Sequence, residues 1–150
     1  SVLEHFLPVA DRIFIGGALP SHTPSIKAPN VIYSRDTVMR ENRVVDSGPQ
    51  TITMLEKEIA QAAMVIWNGP LGAIEEGFDE GTNRLAHILA DSQKLQKGAK
   101  VIVGGGDTVA VGNRLGLADS FYHVSTGGGA MLTFLATGTL PAIDALTEKY

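Results

Sequence analysis

The chain has 150 residues, 44% of them hydrophobic and 19% charged, with a formal net charge of −4 and no cysteine. That length fits one domain with a substantial core, and the acidic balance excludes the basic stripe of a nucleic-acid binder. Disulfides and thiolate metal sites are ruled out, in keeping with a reducing compartment, and no apolar run approaches the roughly 20 residues that span a bilayer.

In chain order, the N-terminus has no basic segment leading into an apolar run, so no secretory signal is expected and the chain reads as cytoplasmic. Val2 to Leu7 reads as a single helical turn. Arg12-Ile13-Phe14-Ile15 reads as a strand ended by Gly16-Gly17. Residues 18–30, with Pro20, Pro24 and Pro29, read as a loop that is long for a compact domain. Val31 to Ser34 is the next strand. Pro49 suits a first helical position after Ser47-Gly48, and Ile52, Leu55, Ile59 and Ala62 repeat at helical spacing.

Met64 to Trp67 forms a strand ending at Asn68-Gly69-Pro70. Thr82 is expected to cap a helix with Leu85, Ala86 and Leu89 on one face. Lys100 to Val103 is a strand ending at Gly104-Gly105-Gly106, and Asp107 or Thr108 opens a short helix to Arg114. Phe121 to Val124 is a strand ending at Ser125-Thr126-Gly127-Gly128-Gly129. Gly129 to Ala136 reads as a helix stopped by Gly138, and Pro141 starts a last turn. Apolar runs bounded by turn residues suit strands buried on both faces. Their alternation with helices predicts a three-layer, Rossmann-like α/β fold: a mostly parallel sheet with helices on both faces.

In such sheets ligands gather beyond the carboxyl ends of the strands, and four of these strands end in glycine loops. Gly127-Gly128-Gly129 leads into a helix whose unpaired N–H groups and partial positive charge suit an anion such as phosphate. Gly104-Gly105-Gly106-Asp107-Thr108 is similar, with a carboxylate at the helix start. Asp107 can cap that helix, hold Mg²⁺ beside phosphates, or do both. Asn68-Gly69-Pro70-Leu71-Gly72 adds an amide, and Glu75 could accept ribose hydroxyls or stand as a solvated surface acid.

No G-x-x-x-x-G-K-[ST], G-x-G-x-x-G or G-x-S-x-G segment occurs. The four histidines, His5, His22, His87 and His123, lack metal-ligand spacing. His123 reads as structural, and Trp67 as core.

Together these loops resemble phosphoglycerate kinase. Val65-Ile66-Trp67-Asn68-Gly69-Pro70-Leu71-Gly72 is similar to its W-N-G-P-x-G segment, Gly104-Gly105-Gly106-Asp107-Thr108 to G-G-G-D-[ST], and Ser125 to Ala130 to S-T-G-G-G-A, in the family's order. Asp46 to Thr51 resembles D-I-G-P-x-T, Ile13 to Ala18 resembles the I-G-G-A strand, and Leu140 to Leu146 resembles the closing L-P-G-[IV]-x-A-L. The resemblance covers nearly the whole chain. It implies that residues 1–150 are a nucleotide-binding domain like the family's C-terminal domain, with a shortened loop at 18–30.

The resemblance further implies that ADP or ATP binds with Mg²⁺. Gly16 and Gly17 would border the adenine, Asn68, Gly69 and Pro70 would line the nucleotide site, and Glu75 would meet the ribose. Gly105, Gly106, Asp107 and Thr108 would hold the phosphates, with Asp107 on the metal. The amides of Gly127 and Gly128 would meet the phosphoryl group passed between 1,3-bisphosphoglycerate and ADP in glycolysis.

The family's N-terminal domain and its G-G-A-K segment are absent from the sequence. The isolated chain is therefore expected to be catalytically incomplete, with 3-phosphoglycerate a partner only if that domain is supplied. An exposed edge where the missing strand would sit is expected to favour self-association. The alternative reading is a non-catalytic nucleotide- or phosphate-binding fragment or an engineered module.

Overall fold

The structure, a computed structural model, describes residues 2–17 and 26–143. Most of the expected loop at 18–30, Ala18 of the first glycine segment and residues 144–146 of the closing segment lie outside the described residues. The elements run α1 (Val2–Phe6), β1 (Ile13–Ile15), β2 (Val31–Tyr33), β3 (Thr37–Arg40), β4 (Arg43–Ser47), α2 (Pro49–Gln61), β5 (Met64–Asn68), α3 (Glu80–Ala90), β6 (Lys100–Gly104), β7 (His123–Ser125) and α4 and α5. Of the last two, α4 (Gly106–Arg114) follows β6 and α5 (Gly128–Thr137) follows β7. Short 3₁₀ turns occupy Ile74–Glu76 and Ala118–Ser120.

The centre is a parallel sheet in the order β5-β6-β7. Asn68 pairs with Gly104, and Gly104 with Ser125, so the three strands end level at their carboxyl edge. β1 and β2 form a second parallel pair, with Ile13 opposite Val31. Helices α2 and α3 pack on each other, as do α3 and α4, while α1 packs on α5; α4 and α5 both contact β6. The arrangement is the expected Rossmann-like α/β fold.

Apolar periodicity explains the core. Ile52, Leu55 and Ile59 on α2 and Leu85, Ala86, Ile88 and Leu89 on α3 are buried against Trp67, Val101 and Val103 of the sheet. Each fully buried aliphatic side chain contributes about 1.5–3 kcal/mol of transfer free energy.

Four expectations need correction. Thr82 does not cap α3: the helix starts at Glu80, and Thr82 lies fully buried inside it, its hydroxyl accepting the Leu71 N–H at 3.0 Å. The last strand does not begin at Phe121, which instead closes the 3₁₀ turn and packs in the core; pairing starts at His123, which is exposed. The strands are not all buried on both faces, since Met64 is 52% exposed. Finally, β3 and β4 form an antiparallel hairpin that was not among the expected elements.

The hairpin turn uses Glu41 and Asn42, with φ of 49° and 60°. All of β3 is exposed, whereas β4 buries Val45, Asp46 and Ser47. Arg43 forks onto Glu76, with one nitrogen–oxygen distance of 3.0 Å, and Arg40 lies over the Phe78 ring. These contacts pin the hairpin to the segment between β5 and α3. Among the described residues no helix is long and apolar enough to cross a membrane.

Candidate functional site

Parallel pairing places the loops after β5, β6 and β7 side by side, and their backbones interlock. The Gly105 N–H donates to the Ser125 carbonyl at 3.1 Å. The Gly69 N–H donates to Thr108 Oγ1 at 2.9 Å, and the Trp67 indole N–H donates to the Gly69 carbonyl at 2.9 Å.

Asn68 fills the junction between the loops. A Cβ on Gly105 would sit 3.0 Å from Asn68 Oδ1, and one on Gly104 would sit 3.2 Å from it. A Cβ on Gly128 would overlap Asn68 Oδ1 and lie only 2.6 Å from the Gly105 nitrogen. Only glycine permits that approach, and it brings the starts of α4 and α5 into contact. The first-strand loop reaches the same place, since a side chain on Gly17 would meet the Pro70 carbonyl at 2.9 Å. Gly16 lies beside the Phe14 ring.

Helix starts leave their first N–H groups without intrahelical partners. In α4 the first helical bond is Val109 N–H to Gly105; in α5 it is Met131 N–H to Gly127. The preceding amides are those of Gly106, Asp107 and Thr108, and of Gly128, Gly129 and Ala130. Neither helix carries a side-chain cap, so the reading of Asp107 as a cap does not hold. Gly106 and Gly129 are exposed and have open space where a Cβ would be. Two bare, adjoining helix starts with a shared glycine floor can hold an anion with several oxygens.

Asp107 is exposed on the first turn of α4, and its carboxylate is unpaired among the described residues. Those residues include no cluster of three or more His, Cys, Asp or Glu side chains suited to a metal. A lone carboxylate beside two uncapped helix starts is of a kind that can share Mg²⁺ with phosphate oxygens, since that ion is commonly held by one or two carboxylates plus phosphate oxygens. Glu75 is exposed on the turn Ile74–Glu76 and likewise unpaired, while its neighbour Glu76 is held by Arg43.

Thr108 and Gly128 differ from the other expected site residues in being buried, Thr108 fully so with its hydroxyl turned to Gly69. Helical spacing carried that signal: Thr108, Val111 and Gly112 share the inner face of α4.

The sequence reading also missed two aspartates that serve neighbouring helix starts. Asp36 accepts the Gln50 and Thr51 N–H groups of α2 at 3.0 and 2.8 Å. Burial pushes its carboxyl up, but these bonds and the Thr51 hydroxyl bond outweigh burial and hold it below its ordinary value. Buried Asp46 accepts the Ser47 N–H and, from α3, the Gly81 N–H, at 2.8 and 2.9 Å. Burial pushes Asp46 up more than these amides pull it down, and Glu80 and Asp79 push it further.

A family model for phosphoglycerate kinase matches residues 21–138. The chain belongs to the phosphoglycerate kinase family. It is 38% identical to the phosphoglycerate kinase of Desulfovibrio desulfuricans over 97% of its own length and 40% of the relative's. The enzyme of Dinoroseobacter shibae is 47% identical over 92% of this chain and 33% of its own. The solved phosphoglycerate kinase of Coxiella burnetii superposes over 99% of this chain and 48% of its own, with a TM-score of 0.71 and 31% identity. That of Pyrococcus horikoshii shares the fold, with a TM-score of 0.76 at 24% identity. The chain thus spans less than half the length of these relatives.

Proposed function

We propose that the chain binds ADP or ATP with Mg²⁺ at the carboxyl edge of β5, β6 and β7. In this reading it is the nucleotide-holding part of a phosphoglycerate kinase, which passes a phosphoryl group between 1,3-bisphosphoglycerate and ADP in glycolysis. The supporting observation is the pair of bare helix starts at Gly106 and Gly128, joined through Gly105 and Asn68. Family membership supplies the nucleotide as the anion to test, and a cytoplasmic setting accords with that role.

Gly105, Gly106 and Asp107 would cradle the phosphates of the bound nucleotide, with Thr108 supporting the loop beside them. Asp107 would hold Mg²⁺, which when bound would neutralise phosphate charge. Gly16 and Gly17 would border the base across from Asn68, Gly69 and Pro70, and Glu75 would take the ribose hydroxyls. The Gly127 and Gly128 amides would orient the terminal phosphoryl group. Phosphoryl transfer depends mainly on such positioning and on charge stabilisation.

A second reading, binding without turnover, has its own support. The loops at 16–17, 68–72, 104–108 and 125–129 contain no lysine or arginine, so they offer no side-chain cation to a transferring phosphoryl group. We expect Mg·ADP to bind and 1,3-bisphosphoglycerate turnover by the chain alone to be negligible. Self-association and capture of 3-phosphoglycerate with a supplied N-terminal domain belong to the same proposal.

Calorimetry with Mg·ADP tests it. Asp107→Ala should weaken binding by about tenfold, the size of one lost charge-assisted contact, and Glu75→Ala by less. No heat of binding in the native chain would overturn the nucleotide reading, and measurable turnover would overturn the second.

A further inference from the structure

Side chains hold the backbone of Gly69 on both sides of its Cα. Its N–H donates to Thr108 and its carbonyl accepts the Trp67 indole N–H. Thr108 is fully buried and Trp67 is 6% exposed, so bulk water competes poorly for either bond. Gly69 sits at φ 95°, where side-chain-bearing residues are strained. Nothing lies within 4 Å of where its Cβ would be, so crowding does not impose that conformation, whereas the two hydrogen bonds fix the two peptide planes that flank its Cα.

We propose that Trp67 and Thr108 are positioning residues of the nucleotide site, forming one clamp on the Gly69 backbone. This rests on the nucleotide reading above. The clamp ties the loop after β5 to the first turn of α4. It also fixes Pro70, whose carbonyl faces Gly17, and so sets the opening between the first-strand loop and the phosphate cradle. The Thr108 oxygen accepts from the loop, and Thr108 acts on the nucleotide through the Gly69 backbone. Trp67 combines its place in the core with the carbonyl anchor.

Trp67 is the sole tryptophan, so a ¹⁵N-labelled chain gives one indole signal. Thr108→Val removes the acceptor at nearly constant shape. Relative to the core amide of Val103, the Gly69 amide and the Trp67 indole should exchange at least about tenfold faster, as expected of local opening. Mg·ADP affinity should fall by about tenfold, and Thr108→Ser should restore both.

Trp67→Phe, read at the Gly69 amide and by calorimetry, should lose a similar factor. The double variant should be no weaker than the weaker single one, because one clamp is broken once. Unchanged indole exchange in Thr108→Val would overturn the clamp. Unchanged affinity in a variant with a loosened loop would overturn the positioning role. Multiplied losses in the double variant would do so too, since Thr108 would then act on the nucleotide directly. A native chain that binds no Mg·ADP would sink the nucleotide reading, and the positioning role with it. The exchange measurements would still decide whether the clamp exists.

Discussion

The helices of this chain begin in two ways. α2 and α3 start against carboxylates that the chain itself supplies: Asp36 takes two amides of α2, and Asp46 takes the Gly81 amide of α3. α4 and α5 start bare, on glycines, at the carboxyl edge of the parallel sheet. The same unpaired N–H groups and partial positive charge exist at each start. At two of them an internal carboxyl group is fixed in place; at the other two the opening faces outward over a glycine floor. The built-in carboxylates thus show in miniature what an incoming phosphate would do. Both aspartates belong to the hairpin region, Asp36 just before β3 and Asp46 within β4, so a peripheral element serves the helix layer.

Removing an internal plug gives the largest expected effect on stability. Asp46→Ala leaves the Ser47 and Gly81 amides without their acceptor in a buried setting. With about 1–3 kcal/mol for each unsatisfied group, urea unfolding should show a loss of roughly 2–6 kcal/mol; a loss near zero would mean that water enters and replaces the carboxylate.

The two aspartates should also respond oppositely to pH. Asp36 is held below its ordinary value, so its contribution is present above the unfolded-state pKa and is lost as pH falls through the lower folded value. Asp46 is pushed above its ordinary value, so its contribution is fullest at low pH and shrinks as pH rises through the folded value. Stability relative to Asp36→Asn should therefore rise with pH in the acid range, and stability relative to Asp46→Asn should fall. Parallel slopes would contradict the two environments.

Much of the bare half of this comparison was legible in the sequence. β1, β5, β6 and the glycine loops announce themselves through apolar runs stopped by glycine. In the plugged half α2 was legible through Pro49 and its apolar spacing, but the hairpin and its two carboxylates were not. β3 is exposed throughout, so no buried face leaves an alternating pattern, and its turn uses Glu41-Asn42 rather than the Asn-Gly that marks a hairpin. Asp36 and Asp46 reach helices through tertiary contacts, outside the local window in which a cap can be recognised. Thr82 was misread for the same reason: a threonine near a helix start suggests a cap, but tertiary packing turned it inward to the Leu71 amide.

Neighbouring glycines at the start of α5 sharpen the comparison with a smaller effect. Gly128→Ala drives a methyl group into Asn68 and the Gly105 backbone. Such overpacking costs about 1–3 kcal/mol, and by forcing the two helix starts apart it should weaken Mg·ADP binding by at least about tenfold. Gly129→Ala meets open space one residue later, and alanine should gain about 0.5–1 kcal/mol in stability there by lowering the entropy lost on folding. Equal effects at the two positions would mean that the helix starts are not in contact.

The smallest stability change carries the most direct test of the contrast. Gly127 is the residue before α5, uncapped and exposed, and a Cβ there would meet nothing closer than 3.8 Å. Gly127→Asp would give this helix the internal carboxylate that α2 already has. Replacing glycine by aspartate at such a position should stabilise the helix by only a few tenths of a kcal/mol, visible as a slight rise in Tm. The same carboxylate should occupy the amides offered to phosphate and repel it, lowering Mg·ADP affinity by at least about tenfold while the fold is retained. A chain made slightly more stable and yet unable to bind would show that the open starts are kept bare for a ligand. Undiminished binding would mean that the anion is held elsewhere and that the bare starts of α4 and α5 are merely uncapped helices.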